Sequence, residues 1–283
     1  MGTKAGNLAM IEVVYYKESR LPFTIYVMNF SEKTVFLTGA SSGIGEALAI
    51  ALAQRGATLG LVARREELLA DLAAKCEVAG GKARIFVCDV VDAEAVQAAA
   101  DEFRGEFGHI DIMIANAGIG GNDAATRAYE PSSVKKLIDV NLLGAVNAIH
   151  AVLPQMIERG SGQLVAISSL AGYRGLPKSA AYSASKAGMT AFFESVRLDN
   201  AKHGIDVTII HPGFIRTPLT AGRANTMPFL MELDDAIPHI ISAIENKKKF
   251  AAFPWPLAMV VRLAKIMPAW LYDRTAGRAR FRE

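Results

Sequence analysis

The sequence predicts an α/β fold, a single doubly wound parallel sheet with a helical C-terminal tail. Three observations carry that expectation. Short, almost wholly apolar segments alternate with segments whose apolar residues recur at helical spacing, as when strands are buried on both faces by crossover helices. A glycine-rich turn, Thr38-Gly39-Ala40-Ser41-Ser42-Gly43-Ile44-Gly45, stands between the first such strand and its helix. The chain has 283 residues, 51% of them hydrophobic, which suits one large α/β domain with a sizeable core.

The elements follow in order. Residues 1–30 hold β-prone pieces, Ile11–Tyr16 and Phe23–Val27, but no motif, and are read as an N-terminal extension. Met28 stands where a chain of this pattern would begin; a short arm packed on the domain is the other reading. The domain proper is expected over residues 31–255. Thr34–Leu37 is the first strand, and Ile44, Leu48, Ala51 and Leu52 mark a helix that Gly56 ends. Thr58–Ala63 is the second strand and Arg65–Ala79 a charged amphipathic helix closed by Gly80-Gly81. Ala83–Cys88 is the third strand, and Asp92 caps a helix over Ala93–Phe107. Ile110–Ala115 is the fourth, and Ser132 opens a helix to about Ile149. Gln163–Ser168, a long helix Ala180–His203, Asp206–Ile210 and Lys249–Phe253 complete the sheet. Ligands in such sheets bind beyond the carboxyl ends of the strands, where the turns after strands one, four, five and six fall.

Composition excludes several function classes. A net charge of +3 lacks the concentrated basic face of a nucleic-acid binder. Cys76 and Cys88 form no Cys-x-x-Cys pair and no disulfide framework, which fits a reduced, cytoplasmic setting. The histidines show no His-x-x-x-His spacing, so no metal site is expected; His109, His203 and His211 read as structural or solvated. Phe250–Val261 is the longest apolar run, too short to span a bilayer and broken by Pro254 and Pro256. Glu12 and Lys17 interrupt any signal-peptide pattern.

Chemistry enters with the glycine loop. Gly39, Gly43 and Gly45 let the backbone approach a pyrophosphate without a Cβ clash, and the N–H groups of the helix that follows favour an anion. Ser41, Ser42 and Ile44 fill the loop between them. An acid about 20 positions on would hold the ribose 2′-hydroxyl of NAD. Here Leu61-Val62-Ala63-Arg64-Arg65 offers guanidinium groups instead, which suit a 2′-phosphate. NADP is therefore expected over NAD, through Arg64; the alternative is two solvated arginines opening a helix. Further on, Tyr182 and Lys186 stand four residues apart, one helical turn on the same face, with a serine pair, Ser168 and Ser169, upstream. A tyrosine beside a lysine is a proton-transfer centre.

These motifs together resemble the short-chain dehydrogenase/reductase family in its single-domain, Rossmann-like form. The resemblance covers about residues 33–255. It runs through Thr38-Gly39-x-x-x-Gly43-x-Gly45, Asp89, Asn116-Ala117-Gly118, Asn141, Ser169, Tyr182-x-x-x-Lys186, Pro212-Gly213 and Thr217. The chain departs from it at Ala115, where Asn is commoner, and at Ser42, where NADP users often carry a basic residue. The resemblance implies a catalytic tetrad of Asn141, Ser169, Tyr182 and Lys186. Ser169, thirteen residues before Tyr182, is favoured over Ser168 by the family spacing. It further implies that Asp89 holds the adenine, Asn116 steadies the central strand, and Thr217 lies on the nicotinamide side. Asn141 would anchor a water linking Lys186 to solvent.

The substrate is expected to be a small carbonyl compound or alcohol. Phe214, Leu219, Met227, Phe229, Leu230, Met231 and Leu233 form a greasy segment that either covers the site, implying a steroid, retinoid or fatty-chain type, or packs on the domain. Residues 256–283 interleave Arg262, Lys265, Arg274, Arg278, Arg280 and Arg282 with Met259, Leu263, Ile266, Trp270 and other apolar residues. Such a basic amphipathic tail suits peripheral membrane contact, a partner subunit in a homodimer or homotetramer, or closure of the active-site entrance. An NADP-dependent oxidoreductase is the leading reading, with a non-catalytic dinucleotide sensor as the alternative. A sugar-nucleotide epimerase fits worse, because the loop spacing differs and no second substrate domain is evident.

Overall fold

The structure, a computed structural model, describes residues 30–120, 130–221 and 227–276. Most of the expected N-terminal extension, and residues 277–283 with Arg278, Arg280 and Arg282, lie outside these. Phe30, the first described residue, is fully buried in the core.

Seven strands form one parallel sheet: β1 (Thr34–Thr38), β2 (Thr58–Ala63), β3 (Lys82–Val87), β4 (Ile112–Ala115), β5 (Gly162–Ile167), β6 (Ile205–Pro212) and β7 (Phe250–Phe253). Their order is β3-β2-β1-β4-β5-β6-β7. The chain winds outward from β1 to β3 and restarts at β4 on the other side of β1. This reversal opens a crevice between the turns after β1 and β4. The helices α1 (Ile44–Ala53), α2 (Glu66–Val78) and α3 (Ala93–Phe107) connect the first half. The second half carries α4 (Pro131–Ile138), α5 (Gly144–Arg159), α6 (Ala180–Asn200), α7 (Leu233–Glu245), α8 (Trp255–Ile266) and α9 (Ala269–Ala276).

Strand side chains alternate between two cores. Val35, Leu37, Leu59 and Leu61 face α1 and α7, meeting Leu48, Leu52, Ile240 and Ile244. Phe36, Val62, Met113 and Leu164 face α3, α5 and α6, meeting Phe103, Val152, Met189 and Phe193. Phe36, Phe86 and Phe103 pack with ring centroids 6.0–6.1 Å apart. A Cβ on Gly60 would lie 2.9 Å from the Phe36 ring and 3.1 Å from that of Phe103, so only glycine lets these rings lie across β2. Asp92 caps α3 as expected, accepting from Ala95 N at 3.0 Å.

Two differences from the sequence reading have physical causes. The helix expected over Ser132–Ile149 is longer and not uniform: α4 and α5 are joined by a π turn, Asp139–Leu143, that contains Asn141. The stretch Pro131–Arg159 is apolar enough to pass for a membrane span, but half of its most apolar window is buried in the domain, and α5 packs there against α3 and the sheet. No element was expected over α7, which carries Pro238 within it. Pro238 costs one backbone bond, and burial of Ile237, Ile240, Ile241 and Ile244 on one face outweighs it.

Candidate active site

The turns after β1, β2, β3, β4, β5 and β6 enclose one cavity of about 920 Å³. Every site residue expected from the sequence lines it except Gly45 and Asn141, which sit directly behind the lining. Gly39 and Gly43 adopt φ of +66° and +60°, the left-handed region that glycine tolerates best. Gly45 is demanded by contact: a Cβ there would fall 2.2 Å from the Gly39 carbonyl and 2.6 Å from Asn116 Nδ2. Gly43 precedes α1 and no side chain caps that helix, which leaves its first N–H groups facing the cavity for an anion. This cradle fits a dinucleotide pyrophosphate.

Thr38, whose place before the first glycine suits it to fix the loop, does so through bonds that reach across to the turn after β4. Its hydroxyl donates to Ile114 O at 3.2 Å and accepts from the backbone N–H groups of Asn116 and Ala117 at 3.1 and 3.2 Å. Asn116 Nδ2 returns bonds to Thr38 O and Gly39 O at 3.1 and 3.0 Å. The loops after β1 and β4 are thus locked together across the crevice, with Gly118 at its rim.

At the ribose end the two arginines divide. Arg64 pairs with Asp89 at 3.3 Å, both of them exposed. Arg65 folds over the glycine loop instead. It donates to Ser41 Oγ at 2.9 Å and, from the same nitrogen, to Ser42 Oγ at 2.9 Å and Ser41 O at 3.3 Å. The sequence reading named Arg64 for this end of the site; Arg65 is the arginine that reaches the glycine loop.

Tyr182 and Lys186 lie in the first turns of α6, beside Ser169 at the end of β5. Lys186 is buried, and its ammonium donates to Ile167 O at 2.8 Å. Burial pushes its pKa down to about 8. Ser168 and Ser169 separate clearly. The Ser168 hydroxyl is committed behind the lysine, donating to Lys186 O at 3.1 Å and lying 2.9 Å from Thr190 Oγ1. Thr190 Oγ1 also donates to Lys186 O and lies 3.2 Å from His211 Nε2. His211 is buried and its pKa is pushed down to about 4, so it is a neutral structural imidazole. The Ser169 hydroxyl accepts from Ala171 N at 3.1 Å and lines the cavity. Gly172, just beyond, packs on Lys186: a Cβ there would meet the Lys186 carbonyl carbon at 2.9 Å.

Asn141 is fully buried in the π turn. Its side chain accepts from Ile119 N at 2.7 Å and donates to Ile119 O and Ser185 Oγ at 3.0 and 3.1 Å. It therefore braces the loop after β4 against α6. Thr217 caps a short turn with Thr220 and lies against Gly43. Pro212 and Gly213 complete the wall; a Cβ on Gly213 would lie 2.9 Å from Leu257 Cδ2 and 3.0 Å from Pro254 Cδ.

The substrate end is apolar. Phe214, Leu219 and Met227 line it, whereas Met231 and Leu233 pack on the core and Phe229 is exposed, so the greasy segment divides between both expected roles. The rest of that wall comes from the tail: Leu257, Val261, Ala264, Met267 and Tyr272. Arg174 fastens it. Its Nη1 donates to Ala264 O and to Met267 O, the latter at 2.7 Å, and its guanidinium lies 3.8 Å from the Tyr272 ring centroid. Tyr272 Oη donates to Gly175 O at 2.6 Å. No local signal marked Arg174 and Tyr272 as partners. Cys88, on the cavity wall, has a thiol pushed up to about 11 by burial and is inert as a nucleophile. Among the described residues, no three His, Cys, Asp or Glu side chains gather as a metal site.

Comparison with known proteins matches this geometry. The short chain dehydrogenase family model covers residues 33–228. An uncharacterized oxidoreductase of Myxococcus xanthus is 43% identical over 88% of this chain and 98% of its own length. An 11-beta-hydroxysteroid dehydrogenase of Pinus massoniana is 36% identical over 71% of this chain and 56% of its own. Among solved structures, an NAD+-bound xylitol dehydrogenase superposes with a TM-score of 0.73 at 28% identity, covering 79% of this chain and 98% of that one. A metagenomic short-chain oxidoreductase in complex with NADP gives 0.68 at 29%, covering 80% and 96%. With its seven-stranded sheet, its glycine cradle and the Tyr182–Lys186 pair on one cavity, the chain belongs to the short-chain dehydrogenase/reductase family and is an NAD(P)-dependent oxidoreductase acting on CH–OH groups.

Proposed function

We propose that the protein uses NADP(H) to interconvert a lipophilic carbonyl compound and its secondary alcohol, with Asn141, Ser169, Tyr182 and Lys186 as its working residues. The observation that carries this reading is the composition of the cavity, whose lining combines Tyr182, Lys186 and Ser169 with largely hydrocarbon side chains, among them Phe214, Leu219, Leu257 and Val261. The steroid-dehydrogenase relative agrees with a hydrophobic substrate. Arg65, with Arg64 nearby, supports NADP: a 2′-phosphate entering above Ser41 and Ser42 would take over the guanidinium bonds now spent on them. Asp89 would border the adenine and Thr217 the nicotinamide. The assembly is read as a homodimer or homotetramer in the cytoplasm.

The bound nicotinamide supplies or accepts the hydride. The chain's own residues handle the proton. In reduction, the Tyr182 hydroxyl gives its proton to the substrate oxygen, while Ser169 donates a hydrogen bond to that oxygen as it gains charge. An unperturbed tyrosine has a pKa near 10, so working near pH 7 requires about 4 kcal/mol of extra tyrosinate stabilisation. The Lys186 ammonium, one turn along α6, supplies positive charge for this. With its own pKa near 8, it also stands close to the proton level of the solvent and passes a proton on readily. Asn141 anchors the water that completes the path.

The test is Tyr182→Phe, assayed with NADPH and a panel of lipophilic ketones and aldehydes. The variant should bind NADPH as wild type does and lose at least about a hundredfold in kcat. Retention of more than about a tenth of wild-type kcat removes Tyr182 from the acid–base role.

A further inference from the structure

The helices α8 and α9 have two faces with different chemistry. The inner face lines the cavity and is bolted down by Arg174 and Tyr272 to the loop that follows Ser169. The outer face is an apolar strip. Trp255, Met259, Leu263 and Ile266 recur at spacings of four, four and three along α8 and are 75, 45, 56 and 79% exposed; Trp270, on α9 beyond the break at Met267, is 70% exposed and adds to this apolar surface. Large apolar side chains this exposed and this contiguous mark an interaction surface. Three exposed cations, Arg262, Lys265 and Arg274, flank the strip, against one exposed carboxylate, Asp273.

We propose that this outer face docks on an anionic lipid bilayer, and that the cavity beneath draws its substrate from that bilayer. The second half rests on the lipophilic substrate proposed above; the first does not. Charge selects the occupant. A second copy of this chain meeting the strip would bring three cations against one carboxylate from each protomer into one interface, and that excess of like charge is unfavourable. An anionic headgroup layer instead neutralises them while Trp255 and Trp270, placed at either end, settle at the apolar–aqueous boundary. Because the tail roof is also the cavity wall, a lipid surface held against it lies one helix thickness from the substrate site.

The chain has two tryptophans, and both are on this strip, so intrinsic fluorescence reports docking directly. Full-length protein is titrated with phosphatidylcholine vesicles with and without a quarter phosphatidylglycerol, followed by Trp emission and co-sedimentation. The expected result is a blue shift and pelleting with the anionic vesicles, at least tenfold weaker with the zwitterionic ones and weakened again at about 0.5 M salt. Met259→Ser/Ile266→Ser and Arg262→Glu/Lys265→Glu should each cut anionic-vesicle binding at least tenfold and leave turnover of a short water-soluble ketone unchanged. Their turnover of a long-chain ketone delivered in vesicles should fall. Wild-type protein that stays in the supernatant at low salt overturns the docking. So does sedimentation showing a dimer that Met259→Ser/Ile266→Ser dissociates, since the strip then belongs to a second copy. Vesicle binding without turnover of any lipophilic ketone leaves the docking standing and sinks the substrate reading alone.

Discussion

Replacing Lys186 with methionine should stabilise the ligand-free protein while it destroys activity. Lys186 is 4% exposed, and its ammonium contacts only Ile167 O at 2.8 Å and Met189 Sδ at 3.8 Å among the described residues. Burial lowers its pKa from the ordinary 10.5 to about 8. At about 1.4 kcal/mol per unit, carrying the charge in the folded state costs about 3 kcal/mol. Between pH 8 and pH 10.5 the unfolded chain binds the proton that the folded chain has released, so wild-type stability rises with pH through that window. Below pH 8 both states are protonated and the full penalty applies. Methionine matches the stem without the charge, but leaves Ile167 O without its donor, at about 1 kcal/mol. The net gain near pH 7 is about 2 kcal/mol, a rise in Tm of roughly 4 °C or more for a domain of this size. Thermal melts without cofactor from pH 6 to pH 10 read it directly, and the gap between variant and wild type should narrow towards pH 10. A variant that melts at or below wild type at pH 7, or a gap independent of pH, refutes the argument that Lys186 carries an uncompensated buried charge.

Arg65→Ala should weaken NADPH binding by at least tenfold while changing NADH binding little, and Arg64→Ala should act in the same direction but less, because Arg64 is already paired with Asp89; equal Kd values for the two cofactors in the wild type, by tryptophan-independent calorimetry, would end the NADP reading. Gly45→Ala should abolish binding of either cofactor and destabilise the fold by about 1–3 kcal/mol, since its Cβ falls 2.2 Å from Gly39 O. Gly105→Ala in α3 is its control: no atom lies within 4 Å of the added Cβ, and the change should be neutral or stabilising by up to about 1 kcal/mol in the same melts.

The strands were legible because burial on both faces leaves little room for polar residues, and β2 runs over the expected Thr58–Ala63. The placement of Tyr182 and Lys186 together on the cavity was legible for a related reason: they are one helical turn apart, so sequence spacing is already geometry. What the sequence hid was decided across the sheet. Ser168 and Ser169 are neighbours with the same side chain, just beyond the end of β5, and they turn to different partners. Only the positions of Thr190 and the Lys186 carbonyl show that Ser168 is spent behind the lysine. Arg64 and Arg65, just beyond β2, divide likewise, one turned to Asp89 and the other folded onto Ser41 and Ser42. The helix over Leu233–Glu245 went unread; it holds a proline inside it and is stabilised by four buried isoleucines on one face.

This division also explains why the reaction class is easier to read than the substrate. The proton-transfer groups lie on a strand end and the helix that follows it, within 18 residues from Ser169 to Lys186, so one short motif fixes their relation. The substrate wall is closed by a segment that reaches back over nearly a hundred residues, from Tyr272 to Arg174 and Gly175. Nothing in either local sequence requires that contact. An aromatic ring, a guanidinium and two terminal helix carbonyls become a latch only once α8 has docked on Leu170 and Phe214. Changes to the outer residues of α8 and α9 can therefore retune what reaches the cavity without touching Tyr182 or Lys186. In this fold the chemistry and the choice of substrate rest on separate parts of the chain, joined through Arg174.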